Sequence, residues 1–174
     1  MPYKMVFRVD GGCRGNGRPG AIGAAAAVLD TSSGRGYRYM TKELPDYPTP
    51  TNQRAELTAI IMALEWALDR YQELNTSPHC FIDIYSDSRY AVDCMNIWTC
   101  TWYKNGWVNS RGFEVANRDL LEEAVDLELR VRDELGDLEF HWVPREDNAL
   151  ADKHCNEALD EKARYDSSSS DSDW

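Results

Sequence analysis

No run of apolar residues in this 174-residue chain approaches the roughly 20 that a membrane-spanning helix needs. The opening "MPYKMVFRVD" also lacks the apolar stretch and small-residue cleavage site of a secretory signal. An intracellular location, in cytoplasm or nucleus and away from membranes, is therefore expected. Cysteines are few and odd in number: Cys13, Cys80, Cys94, Cys100 and Cys155 follow no metal-binding spacing, which fits reduced thiols rather than a disulfide framework. The three histidines, His79, His141 and His154, are too scattered to suggest a metal centre. Positive charge is scarce too. With 19 Lys and Arg against 30 Asp and Glu, the net charge is −11, which at first argues against a polyanionic partner. The distribution of that charge points the other way. Residues 119–139 hold nine acids and two bases, and residues 160–174 hold five acids and two bases, leaving only −1 on the rest of the chain. The acidity marks one solvated helix face and a tail turned away from any polyanion.

The length suits one domain with a full core. Its order along the chain is legible from periodicity. "KMVFRVD" alternates as a strand, with Met5, Phe7 and Val9 on one side. A glycine-rich turn, "GGCRGNGRPG", follows, then a short second strand "AIGAAAAVLD" and a third, "GRGYRYMTKEL". After the loop "LPDYPTP", Thr51 makes an N-cap for a helix running to about Tyr71. "HCFIDIYSD" reads as a fourth strand and "SRYAVDCMNIW" as a helix, followed by an irregular aromatic connector, "TCTWYKNGWVNSRGFEV". A long acidic helix from about Asn117 to Leu135, a fifth strand "LEFHWV" and a helix "NALADKHCNEAL" complete the order. Three antiparallel strands followed by strands with crossover helices imply an α/β fold: a five-stranded mixed sheet flanked by helices, with strands one, four and five parallel. Residues 1–163 form the domain. Residues 164–174, rich in serine and acid, are expected to be disordered, with Trp174 an ordinary chain end.

Four carboxylates converge in that arrangement. Asp10 ends strand one, Asp87 ends strand four, and Asp152 lies near the start of the helix after strand five. Glu56 sits one to two turns into the first helix among Ala55, Leu57 and Ala59, where a charge needs a partner. Singly, Asp87 can be read as a helix cap, Asp152 as a residue suited to a helix N-terminus and Asp10 as a turn former. Together at one end of a sheet they would repel and raise one another's pKa unless cations neutralise them. Magnesium suits such a set of hard oxygen ligands, and two ions could serve phosphodiester hydrolysis.

The segments "FRVDGGCRGNG", "TNQRAEL", "IYSDSRYAV", "WYKNGW" and "NALADKHCNEAL" resemble, in order and spacing, a type 1 ribonuclease H of the cellular, non-retroviral kind, over about residues 4–162. The resemblance implies the ribonuclease H-like fold. It also implies a monomeric, metal-dependent endonuclease that hydrolyses the RNA strand of RNA–DNA hybrids, giving 5′-phosphate and 3′-hydroxyl products. By the same resemblance Asp10, Glu56, Asp87 and Asp152 bind two Mg²⁺, with Mn²⁺ as an alternative ion. Cys13, Asn16, Asn52 and Gln53 would face the RNA strand, whose 2′-hydroxyl is the group to be read. Trp98 and Trp102 would line the DNA channel, with at least one of Trp98, Trp102 and Trp107 belonging to the core. Thr51 and Asn117 would hold a DNA phosphate, Thr51 also through its helix N-terminus.

Three departures from the family matter. "WVPREDNALAD" runs from strand to helix with a shortened loop lacking the family's histidine, leaving Arg145 as a candidate accessory cation. Thr49 stands where many relatives place an arginine of the phosphate pocket, and "WYKNGWV" carries fewer lysines than its counterparts. No separate hybrid-binding domain is expected before residue 1, and with it no processive action on long hybrids. Two other readings remain: a hybrid-binding module that has lost useful catalysis, and another nuclease of the same superfold.

Overall fold

The structure, a computed structural model, describes residues 2–31 and 34–170. Five strands, β1 (Tyr3–Arg14), β2 (Ile22–Asp30), β3 (Tyr37–Glu43), β4 (Cys80–Ser86) and β5 (Gly136–Trp142), form one sheet in the order β3-β2-β1-β4-β5. The first three are antiparallel neighbours, and β1, β4 and β5 run parallel. The helices are α1 (Asn52–Gln72), α2 (Arg89–Asp93), α3 (Thr99–Asn105), α4 (Arg118–Glu134) and α5 (Ala149–Ser170), with a π turn over Cys94–Trp98 joining α2 to α3. No helix among the described residues is long and apolar enough to cross a membrane.

Strand alternation divides the two faces. Met5, Phe7 and Val9 of β1, Ile82 and Ile84 of β4, and Leu138 and Phe140 of β5 are buried on one face, in the same core as Leu57, Ile60 and Leu64 of α1 and Leu121 of α4. On the opposite face α5 packs on β1, β2 and β3. The alanine run of β2 is explained by this double cover. Ala25 and Ala27 join the main core, while Ala24 and Ala26 meet Cys155, Ala158 and Leu159 of α5, and only small side chains let both helices approach so closely.

The structure revises four expectations. Gly11 to Arg14 do not turn: they continue β1 and pair with Ala25 to Ile22, because a ladder needs backbone groups rather than side chains. Asp10 is therefore not the last residue of its strand, although it directly follows the final rung of the parallel ladder, Val9 opposite Ser86. The connector after Trp98 opens with a helix, α3, continuous with the π turn and ended by Gly106 in the left-handed region at φ 80°. The domain boundary expected at 163 is crossed by α5. Its last turns run to Ser170, with Ser167, Ser168, Ser169 and Ser170 each donating to the carbonyl three residues back. Residues 171–174, including Trp174, lie outside the described residues.

Candidate active site

Gly11 sets the position of α1. A Cβ there would collide with the Ala55–Glu56 peptide, so only glycine allows the helix to press on β1 at this point. That contact places Glu56, in the second turn of α1, on the same cleft as Asp10. Thr51 caps the helix as expected, its Oγ1 accepting from the Arg54 N–H at 3.1 Å. Asp87 follows the last residue of β4, and Asp152 lies in the first turn of α5, its N–H bonded to the Asn148 carbonyl at 3.1 Å. The four carboxylates line one cleft of ≈ 460 Å³, together with Asn52 and Arg145.

Burial and mutual repulsion govern their protonation. Burial, then the charges of Asp87 and Asp152 and a hydrogen bond with Asp152, push Asp10 up from 3.8 to about 8. Burial also raises Asp87, against the opposing charge of Arg145. Glu56 is raised by burial too, opposed by a 2.6 Å hydrogen bond that the Ser88 hydroxyl donates to its Oε2. Arg145 reaches Asp152 at 3.3 Å from the short 3₁₀ turn Arg145–Asp147 that joins β5 to α5. Cys155, on the same cleft, is held as a thiol. Burial first, then the neighbouring aspartates, push it up to about 12, far too high for a thiolate nucleophile at neutral pH.

A second groove of ≈ 730 Å³ adjoins the first and shares Asn52, Glu56 and Asp87 with it. Asn16, Thr51, Gln53 and Asn117 line it, as do Arg89 and Tyr90. Backbone and amide bonds tie these residues into one surface. The Cys13 N–H donates to Asn52 Oδ1 at 3.0 Å, and the Asn52 N–H donates to Asn16 Oδ1 at 2.9 Å. Asn117 Nδ2 donates to Tyr90 Oη at 2.9 Å and to Gln53 Oε1 at 3.4 Å. Trp98 and Trp102 are stacked with centroids 6.0 Å apart, but neither is among the residues lining the two clefts. Trp107 is the core tryptophan of the three.

The model of the ribonuclease H family matches residues 2–167. The chain belongs to the ribonuclease H family. It is 32% identical over 162 residues to a ribonuclease H of Erythrobacter litoralis, covering 90% of this chain and 96% of that one. A ribonuclease H of Clostridium botulinum is 33% identical over 159 residues, with 91% and 97% covered. Among solved structures, the N-terminal RNase H domain of a Mycobacterium tuberculosis protein aligns with a TM-score of 0.64 at 26% identity, covering 94% of this chain and 98% of that one. The fold likeness extends to LC11-RNase H1 in complex with an RNA/DNA hybrid, at a TM-score of 0.65, 24% identity and coverage of 91% and 99%.

Two supports of this candidate site escape a reading by spacing. Ser88, rather than Asp87, is the N-cap of α2: its hydroxyl oxygen accepts from the Ala91 N–H at 3.1 Å while donating to Glu56. The sequence signal was present in "SDS", where either polar residue can cap. Asn148 is fully buried and donates through Nδ2 to the Val9 carbonyl at 2.9 Å, fixing the entry to α5 against β1 just before Asp10. Only tertiary contact distinguishes it from an ordinary residue preceding a helix.

Proposed function

We propose that the chain cuts the RNA strand of RNA–DNA hybrids endonucleolytically, as a monomer, leaving 5′-phosphate and 3′-hydroxyl ends. Asp10, Glu56, Asp87 and Asp152 hold its divalent ions, magnesium first and manganese as the alternative. The observation that carries this reading is four carboxylates from four separate segments on one cleft, where burial and then the charges of Asp87 and Asp152 push Asp10 up to about 8. An all-oxygen acidic donor set that retains a proton at neutral pH fits a hard cation, which would take that proton's place. When bound, two such ions would activate a water and offset charge on the leaving oxygen.

The remaining roles belong to the chain's own residues. The end of β1, the loop after it and the start of α1 present Cys13, Asn16, Asn52 and Gln53, whose polar groups suit the 2′-hydroxyl of an RNA strand. Thr51 and Asn117 on the second groove offer a hydroxyl and an amide to a DNA phosphate. The stacked Trp98 and Trp102 offer a flat surface to deoxyribose. Arg145 stands where the family's histidine is missing. A guanidinium stays charged at any physiological pH, so it can hold the scissile phosphate but cannot relay a proton. Arg145→Ala is expected to slow single-turnover cleavage about 10²-fold, the scale of a lost electrostatic donor. Unchanged single-turnover and product-release rates would make Arg145 a surface cation only.

The missing histidine favours one competing reading, a hybrid-binding module without useful catalysis. Incubation with labelled RNA–DNA hybrid, double-stranded RNA and single strands in magnesium or manganese separates the cases. Cleavage confined to the RNA of the hybrid supports the nuclease. Binding with no cutting supports the module, and equal cutting of DNA strands points to another nuclease of the superfold.

A further inference from the structure

Away from the catalytic cleft, α5 covers β1, β2 and β3, while the outward faces of β4 and β5 carry charged and aromatic side chains. Asp83 and Tyr85 of β4 stand opposite Glu139 and His141 of β5 in the parallel register. Side chains two apart on a strand share a face, so Asp83, Glu139 and His141 project together from two neighbouring strands. Their ligand atoms all lie within 4.8 Å of one another. His141 Nε2 is 2.8 Å from Asp83 Oδ1 and 3.6 Å from Glu139 Oε2. Ligands about 2.0–2.1 Å from a tetrahedral zinc ion are about 3.3 Å apart, a spacing these two distances bracket.

We propose that Asp83, Glu139 and His141 form a second cation site, for a first-row transition metal of the zinc type, separate from the carboxylate cleft. The donor set supplies the chemistry: one imidazole nitrogen and two carboxylate oxygens suit zinc, whereas magnesium takes oxygen and water. Two contacts aim the ligands before any ion arrives. Tyr85 stacks on the His141 ring with centroids 4.6 Å apart and planes at 21°, which fixes the direction of Nε2. Lys4 Nζ lies 3.7 Å from Asp83 Oδ2, leaving Oδ1 for the imidazole side. Outer contacts of this kind orient the ligands of metal sites. Glu139 is the exposed arm, its Oε2 3.6 Å from the imidazole nitrogen. Water completes the fourth position.

Asp83 lies four residues before Asp87, which follows the end of β4, so the two stand roughly 13 Å apart along the chain direction and an ion on Asp83 does not reach the scissile phosphate. Its effect would be to tie β4 to β5 beneath the catalytic aspartate. The test is equilibrium dialysis of the full chain against zinc in a large excess of magnesium, which occupies the carboxylate cleft. The wild type is expected to retain one zinc per chain. His141→Gln and Glu139→Gln are each expected to weaken retention by at least about 10- to 100-fold. Both variants should keep wild-type hybrid cleavage in magnesium, which shows that they fold. Cobalt in place of zinc should give a visible ligand-field spectrum that His141→Gln loses. Absence of zinc retention, or equal retention by His141→Gln, overturns the site. Neither result bears on the nuclease reading, which is assayed with magnesium alone.

Discussion

In the metal-free protein Asp10 holds its proton to about 8 rather than 3.8, because burial and the charges of Asp87 and Asp152 oppose ionisation. An acid whose pKa rises on folding binds its proton more tightly in the native state, so stability falls as pH climbs from near 4 to near 8. Asp10→Asn removes that dependence at nearly constant volume, and its amide can still donate as the protonated carboxyl does. In EDTA its unfolding midpoint should sit close to the wild type at pH 4 and rise progressively above it by pH 8. Its cleavage in magnesium should be abolished. Equal midpoints at pH 8, or retained metal-dependent cleavage, would refute the assignment of Asp10. That this residue and three other acids would share one end of the sheet was legible in the sequence, because strand ends and helix starts can be counted. The sequence disclosed neither Ser88 nor Asn148 as supports, since their partners Glu56 and Val9 are joined to them only through the fold.

At the scale of elements, the close approach of α1 to β1 depends on one missing side chain. Gly11→Ala forces the Ala55–Glu56 peptide away from β1, and overpacking of this kind costs about 1–3 kcal/mol. Urea unfolding should show that loss. Turnover should fall more than stability suggests, because the displaced segment carries Glu56. A fully active Gly11→Ala variant would mean that the site tolerates a shifted helix. Strand directions, crossover helices and the α1 cap could be read from apolar periodicity and Thr51. Two features could not. "GGCR" reads as a turn because glycine has no side chain to show alternation, yet its backbone completes the ladder with β2. "TCTWYKN" reads as a connector because its polar and aromatic residues show no apolar stripe, yet the π turn carries the helix onward into it.

For the whole molecule, charge decides how strongly a nucleic acid is held. Three arginines line the two candidate grooves: Arg89, Arg145, already paired with Asp152 at 3.3 Å, and Arg14, paired with Asp160 at 2.6 Å. Each phosphate neutralised contributes about 0.9 to the salt slope of duplex binding, so a slope of about 3 or less in magnitude is expected. Hybrid binding by the Asp10→Asn protein, measured across a salt series, provides it without cleavage. A slope near 8 would require further cations outside the grooves, with a longer track for the duplex than these three arginines define.

The hydroxyl of Ser88 links these scales. One oxygen caps α2 by accepting from the Ala91 N–H and donates to the carboxylate of Glu56. Fraying of that helix's first turn and release of the acid are therefore a single event. Exchange of the Ala91 amide with solvent, otherwise a minor local signal, becomes a clock for how often Glu56 leaves the carboxylate cleft.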